Sequence, residues 1–531
     1  FRPGGRTIRC LVSRVTRRGE NSAAGARLLV TPLDGAAAVD LSPGSSHPLF
    51  PWPEPRRRSF IIARAGEAEF YLPEGRYRIV ASGGLLDGLD IWETPLRGDA
   101  EHRFVVRRQV ELPGTVAVDF HVHAAPSIDS VIPMMDQLAA FQAAGVDLLV
   151  ASDHNIVTDY RPLIASLPAA SGHIRSLPGV EVSLRAAAGD SYGHWNVWPL
   201  VPDAQAPPVR VGQITSFGAL AIPPVPTLDA LRRGTPVAEM YDAYRSQAAR
   251  LAGRGQDAEI LADMLPIIQV NHPRGFQNNP HKNVMVRRHD WFNKAGFLPG
   301  GAWPDSFYRE SAAGTTSLDF DALEIWNRSS RRLYEQVRAD WFTFLNHGVV
   351  RTATANSDSH TQSPELAGYP LNLVLLPAGR PHGPQVEVRD LMHAVRSGRV
   401  IGTDGPVPLL SVRAGGVGAG PGETLQATDG EVRVRLEVLA ADWVPVGEMR
   451  LWVNGQVAAR GTGKLLETTL HLPRDSWLVA EVGDLEGVPE ETILPGLYGE
   501  LVPRGMALGF TNPVFVDVDG NGRYDAAGGL P

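Results

Sequence analysis

Cysteine is almost absent. Cys10 is the single one in 531 residues, which excludes an intrachain disulfide framework and a cysteine-ligated zinc site. Lysine is scarce: of 50 basic residues only Lys282, Lys294 and Lys464 are lysine, which reads as codon bias rather than chemistry. No uninterrupted apolar run approaches the roughly 20 residues that cross a bilayer, so no membrane span is expected. There is no excess of positive charge; a net charge of −8 gives no case for nucleic acid as a partner. No internal repeat and no low-complexity tract is present. The chain opens Phe1-Arg2-Pro3-Gly4-Gly5, with neither a Met nor a signal peptide. A processed chain reads this way, so the expected location is periplasmic or secreted, with cytoplasmic as the alternative.

An apolar content of 43% and a charged content of 20% fit a globular protein, and the length suggests roughly three or four domains. Residues 1–114 read as a β-sandwich, with short strands such as Thr7–Val12 and Ala26–Thr31 between turn clusters. Ala68–Ala81 reads as a hairpin about Pro73-Glu74-Gly75. Its turn resembles that of carboxypeptidase regulatory-like sandwiches. Ser46–Arg58, with four prolines, reads as a loop whose Phe50 and Trp52 either cover a site or pack.

From Val116 the pattern changes to strand, helix, strand. Apolar strands are expected at Val116–His123, Asp147–His154, Leu177–Ser183, His194–Leu200, Ile267–His272, Ala322–Asn327 and Val349–His360, then at Leu371–Leu376 and Val400–Gly402. Helices are expected at Val131–Ala144, Val237–Leu251, Ser330–Leu345 and Val388–Ser397. Buried strands alternating with helices predict a parallel α/β barrel over residues 115–405. Insertions at 202–264 and 276–316 are expected to wall a pocket, the second with Trp291, Phe292, Phe297, Trp303, Phe307 and Tyr308 beside an apolar leaving group. Residues 406–531 return to β, with strict alternation over Glu431–Val438 and an Asn454-Gly455 hairpin turn, and read as a second sandwich.

The strand ends carry the chemistry. His121 and His123 are two apart, so on a strand they share a face. Asp358 and His360 repeat that spacing. With Asp129, His154, Glu181, His194 and His272 they make nine metal-competent side chains at successive strand ends, where barrel enzymes collect their sites. A metal centre is the expected reading.

The motifs Asp119-Phe120-His121-Val122-His123, Ser152-Asp153-His154, Gly179-Val180-Glu181, Gly193-His194, Asn271-His272-Pro273 and Asn356-Ser357-Asp358-Ser359-His360 resemble, in order, the signatures of the PHP (polymerase and histidinol phosphatase) superfamily. With Thr511-Asn512-Pro513 and β-rich flanks, the chain looks like the CehA/McbA-type metallohydrolases. The resemblance implies a distorted (β/α)7 barrel flanked by sandwich-like domains. It implies one ion on His121, His123, Glu181 and Asp358, a second on Glu181, His194 and His272, and a third on Asp129, His154 and His360. Imidazole with carboxylate suits Zn, Mn or Fe. The implied activity is hydrolysis of an ester-type bond in a small-molecule substrate by a metal-bound hydroxide, phosphoesters first, with carboxyl esters, carbamates or amides of aromatic compounds as the alternative. A non-catalytic, metal-stabilised binding protein is the alternative of another class.

Glu181 and Asp358 are the expected catalytic ligands. Arg274 is a candidate cation for a developing oxyanion, or one half of a surface salt bridge. Asp153, Asn155, Asn196 and Asn356 are expected to orient ligands. His281 and His289 are either substrate contacts or ordinary loop residues. Asp517, Asp519, Asn521 and Asp525 match part of an EF-hand-like calcium loop, with Gly528 where a bidentate Glu is expected, so calcium and a plain Asp/Asn/Gly turn both stand.

Overall fold

The computed structural model describes residues 5–15, 21–23, 25–37, 59–167, 174–185, 191–200, 209–211, 214–216, 228–251, 264–274, 291–298, 301–327, 330–360, 367–484, 488–489, 492–503 and 505–528. Phe50, Trp52, the Ser46–Arg58 stretch, His281 and His289 lie outside them.

Eight strands come first: β1 (Arg6–Val15), β2 (Asn21–Ala23), β3 (Ala26–Leu33), β4 (Ser59–Ala63), β5 (Glu67–Leu72), β6 (Gly75–Ser82), β7 (Leu89–Leu96) and β8 (Ala100–Arg107). One sheet joins β1 with β2, β5 and β8; the other runs β4-β3-β6-β7. Ile8, Cys10, Leu28, Ile79 and Phe104 fill the space between. Burial pushes the Cys10 thiol up to about 12, so it is an inert core residue. The expected hairpin is not one. β5 pairs with β1, whereas β6 pairs with β3 and β7. The Pro73-Glu74 turn carries the chain from one sheet to the other. Buried and exposed residues alternate along β5 either way, so the pattern alone reads the same.

The middle of the chain supplies β9 (Thr115–Val122), β10 (Leu148–Ala151), β11 (Arg175–Pro178), β12 (Val180–Arg185), β13 (Ser191–Trp198), the small pair β14 (Val209–Val211) and β15 (Ile214–Ser216), β16 (Ile267–Asn271), β17 (Ala322–Asn327), β18 (Thr352–Asn356), β19 (Leu371–Leu375) and β20 (Val400–Thr403). The helices Met134–Ala143, Pro236–Leu251, Arg331–Asn346 and Val388–Arg396 accompany them. Ser330 caps the third by accepting from the Leu333 amide.

One expectation is corrected and another is met in part. The strands are mixed rather than parallel: β12–β13, β13–β16, β9–β19 and β19–β20 are antiparallel. Only residues 186–190 separate β12 from β13, too few for the crossover that parallel neighbours need. The barrel is met only in part: among the described residues the continuous ladders form two sheets, with no closed barrel. β11-β10-β9-β19-β20 belong to one sheet and β12-β13-β16-β17-β18 to another. The single bridges Val122–Ser359 and His154–Glu181 join them. The expected strand Leu177–Ser183 divides at Gly179, with β11 in the first sheet and β12 in the second.

The last strands are β21 (Val407–Ala414), β22 (Val417–Ala419), β23 (Thr424–Gln426), β24 (Glu431–Leu439), β25 (Met449–Val453), β26 (Gln456–Gly461), β27 (Leu465–His471), β28 (Ser476–Val482), β29 (Gly509–Thr511) and β30 (Val514–Asp517). β22-β21-β24-β27 form one sheet. The facing layer is not separate: β20 pairs with β29, so β29-β28-β25-β26 prolong the sheet that begins at β11. Val412, Leu436, Leu451 and Ala480 pack between the layers. Asn454 and Gly455, at φ 50° and 85°, make the expected turn. Among the described residues no helix is long and apolar enough to cross a membrane.

Candidate metal centre

Past Thr115, every residue of β9 is buried. Phe120 turns outward and stacks on Trp198, with centroids 4.9 Å apart. His121 and, just past the strand, His123 turn the other way. Backbone strain marks the same place. Of the non-glycine residues at positive φ, His272 (28°) and Asp358 (47°) are candidate ligands, and Asn155 (57°) adjoins His154. Such strain persists only where the surroundings impose it, and it turns side chains out of the ladder direction.

All nine expected residues converge, with Glu181 in the middle. Glu181 Oε1 lies 3.2 Å from His121 Nε2, 3.1 Å from His194 Nδ1 and 3.4 Å from His272 Nε2. Its Oε2 lies 3.2 Å from His123 Nε2 and 3.1 Å from His154 Nδ1. Asp358 Oδ1 lies 3.3 and 3.2 Å from the Nε2 atoms of His121 and His123. Asp129 Oδ2 lies 3.1 Å from His154 Nε2 and 3.0 Å from His360 Nε2. Four groups have their ligand atoms within 4.8 Å of one another: His121–His123–Asp358, His121–Glu181–His272, His154–Glu181–His194 and His123–Asp129–His154–His360. His194 arrives from the first half of an antiparallel strand, not from a C-terminal strand end.

These separations suit ions. Two ligands each about 2.1 Å from one tetrahedral centre stand roughly 3.4 Å apart. The Nε2 atoms of His121 and His123 are sealed from water, and no acceptor meets them in hydrogen-bonding geometry. Buried polar atoms rarely stay so without a partner, and a cation between imidazole and carboxylate would supply one. The electrostatics agree. Burial works to lower His121, but Asp358, Glu181 and Glu324 outweigh it and hold the imidazole well above the usual range. Burial works to raise Glu181, but His121, His154 and His194 hold it well below the carboxylate range. Without an ion, protons must offset the cluster's negative charge.

The expected orienting residues are in place. The Asp153 carboxylate accepts from the Ala124 amide at 2.7 Å, fixing the turn after His123. Asn155 accepts from the Ser183 amide at 2.9 Å. Asn196 donates to the Phe120 carbonyl and accepts from Asn271, which also donates to Glu181 Oε1 at 2.9 Å. Asn356 accepts from the Phe120 amide and donates to Glu324.

Glu324 was not foreseen. Fully buried, it faces His121 Nδ1 at 2.9 Å and accepts from the His272 amide at 2.9 Å. It thereby sets the orientation of two candidate ligands. Its sequence signal is a lone acid within the apolar strand Ala-Leu-Glu-Ile-Trp. Ser127 was missed too. Its hydroxyl faces His123 Nδ1 at 3.2 Å, donates to Asp129 at 2.8 Å and accepts from the His154 amide at 3.2 Å.

Other expectations move. Arg274 is buried and clamps Asp340 of the helix Arg331–Asn346, Nε to Oδ2 at 2.6 Å, beside the rings of Phe292 and Phe297. Its charge is matched by a carboxylate outside the nine, so it is not the surface salt bridge considered above, and its pairing gives the oxyanion role no support. In its described part the aromatic insertion is core, not pocket wall: Phe292, Phe297, Trp303 and Phe307 are buried against Phe344 of that helix, Trp291 is buried beside Phe292 and Phe307, and Tyr308 packs on the cluster's edge. In the tail, Asp517 and Asp519 gather with Asp475, which the motif did not include. Asp517 accepts from the Gly520 and Gly522 amides and Asp475 from the Val518 and Asp525 amides. Asn521 links Asp519 to Asp525. These bonds describe an Asp/Asn/Gly turn. Thr511-Asn512-Pro513 is a strap: the Asn512 side chain accepts from the Ala353 amide and donates to the Ala353 and Val400 carbonyls.

No protein-family description matches the chain, and no curated protein is significantly similar to it.

Proposed function

We propose that the chain is a metal-dependent hydrolase of ester-type bonds whose two bridged central sheets correspond to a PHP-like distorted barrel. The observation that carries this reading is the convergence of five imidazoles on the two oxygens of one buried carboxylate, Glu181, with Asp358 and Asp129 completing the sets. His121, His123, Glu181 and Asp358 would hold one divalent ion, Glu181 with His194 and His272 another, and Asp129, His154 and His360 a third. Zn, Mn or Fe suits this donor set. Such ions, when bound, acidify a water and polarise the bond it attacks. The chain's own part is positional. Glu324 and Ser127 fix the imidazoles, Asn271, itself bonded to Asn196, holds Glu181, and Asp153 anchors the turn that carries His123. Hydrolysis remains the first reading over a metal-stabilised binding protein because the Asp129 side chain is partly open to solvent, where a substrate can reach.

Phosphoesters come first within that reading, and carboxyl esters, carbamates or amides second. With the aromatic insertion buried, an aryl leaving group loses the pocket wall that favoured the second set. The test is turnover of aryl phosphodiester, phosphomonoester, carboxyl ester and carbamate by chelator-stripped and metal-restored protein. Metal-dependent turnover of any of them is expected. Metal uptake with no turnover across the panel would favour the binding protein.

A further inference from the structure

The nine candidate ligands are unequally sheltered. The His121 and His123 side chains are 0% exposed and Glu181 is 1%, whereas Asp129 is 31% and His360 12%. The centre therefore opens on the side of Asp129 and His360. Asp129 sits on a short turn that closes from the Ser130 amide to the Ser127 carbonyl at 3.4 Å. The turn is pinned at several points. Ala125 donates to the Ile132 carbonyl, Ser130 Oγ donates to the His360 carbonyl, and Ser127 touches His123, Asp129 and the His154 amide. Ser127 and Asp129 both turn inward to the cluster, which leaves Ile128 between them turned outward. Ile128 is 82% exposed, the highest value among the exposed large hydrophobics of the described residues; Val131, three residues on, is 42% exposed.

A singly exposed isoleucine is ordinary on a protein surface. This one is set apart by its place. It stands on a rigid turn whose two flanking side chains belong to the metal cluster, at the side from which the cluster is reached. An apolar group held there meets a preorganised partner and loses little entropy on contact. We infer that Ile128, with Val131 three residues on, is the specificity contact for an apolar, non-reacting group of the substrate. It would grip that group while the scissile bond lies over the Asp129–His360 side. The inference rests on the metal-dependent reading above and adds to it the direction of approach and the residue that selects.

The test uses the full chain loaded with Zn or Mn and two hydroxamates, which share a metal-chelating head and differ in tail. The dissociation constants of acetohydroxamate and octanohydroxamate are measured for wild type, Ile128→Ser and Ile128→Leu, and their ratio is the readout. In wild type the octanoyl tail is expected to improve affinity at least tenfold. Ile128→Ser is expected to lose roughly five- to tenfold of that gain and Ile128→Leu to keep it. No gain in wild type, or the same gain in Ile128→Ser, overturns the inference while leaving the metal centre standing. A wild-type chain that takes up no metal and binds neither hydroxamate overturns both. An Ile128-dependent gain without turnover on the ester panel upholds the contact and removes only the hydrolytic reading.

Discussion

At the scale of single residues, the cluster predicts its own response to pH. In the metal-free chain burial acts to lower His123, but Asp358 and Glu181 outweigh it and raise the imidazole to about 10. A folded value above the unfolded one stabilises fully below about pH 6.5, and that contribution is lost as pH rises through about 10. Metal ligation needs the deprotonated rings, so binding an ion releases protons and tightens with pH. Thermal melting between pH 7 and 10 should show Tm falling in chelator-treated protein and holding or rising in metal-loaded protein. Parallel slopes would contradict the cluster's role. The nine residues were legible because histidine and acid at the ends of apolar strands have few other reasons to be there. Direction was not legible. Nothing in the local sequence says that Arg274 turns to Asp340, or that Phe292 and Phe297 pack on Phe344 of the helix Arg331–Asn346.

At the scale of elements, Gly179 is where the chain leaves one central sheet for the other, two residues before Glu181. A Cβ there would stand 2.8 Å from Val150 Cγ1 and 3.1 Å from Trp198 Cβ. Gly179→Ala should cost about 1–3 kcal/mol by overpacking and displace Glu181, with a lower urea midpoint and weaker metal retention. An unchanged midpoint and metal content would show that the crossing has room to spare. The sequence marks this strand by its apolar run but not its division, because β11 and β12 carry the same pattern on both sides of Gly179. The Pro73-Glu74 connection misleads for a related reason: a hairpin and a crossover between facing sheets place the same residues inward. Strand direction was within reach, since the short 186–190 connection already argues for antiparallel neighbours.

At the scale of the whole molecule, the C-terminal strands are part of the sheet that carries His121. The β20–β29 pairing joins residues about a hundred positions apart, and no local pattern announces it. Asn512 ties β18 to β20 with three side-chain hydrogen bonds in a fully buried setting. Asn512→Ala leaves a buried amide and two carbonyls without that partner and should cost roughly 3 kcal/mol. Because β18 leads directly into Asp358 and His360, metal should also be lost at lower denaturant than in wild type. Loss of stability with metal retention unchanged up to global unfolding would show that strap and centre are independent.

Whether Glu181 and its neighbours hold metal is read from the metal content of the protein itself. The full chain, purified without chelator and after incubation with Zn or Mn, is assayed by elemental analysis beside Glu181→Gln. Two or three transition-metal ions per wild-type chain and clear loss in Glu181→Gln are expected. No transition metal in wild type after Zn or Mn is supplied, or equal metal in the variant, would contradict it.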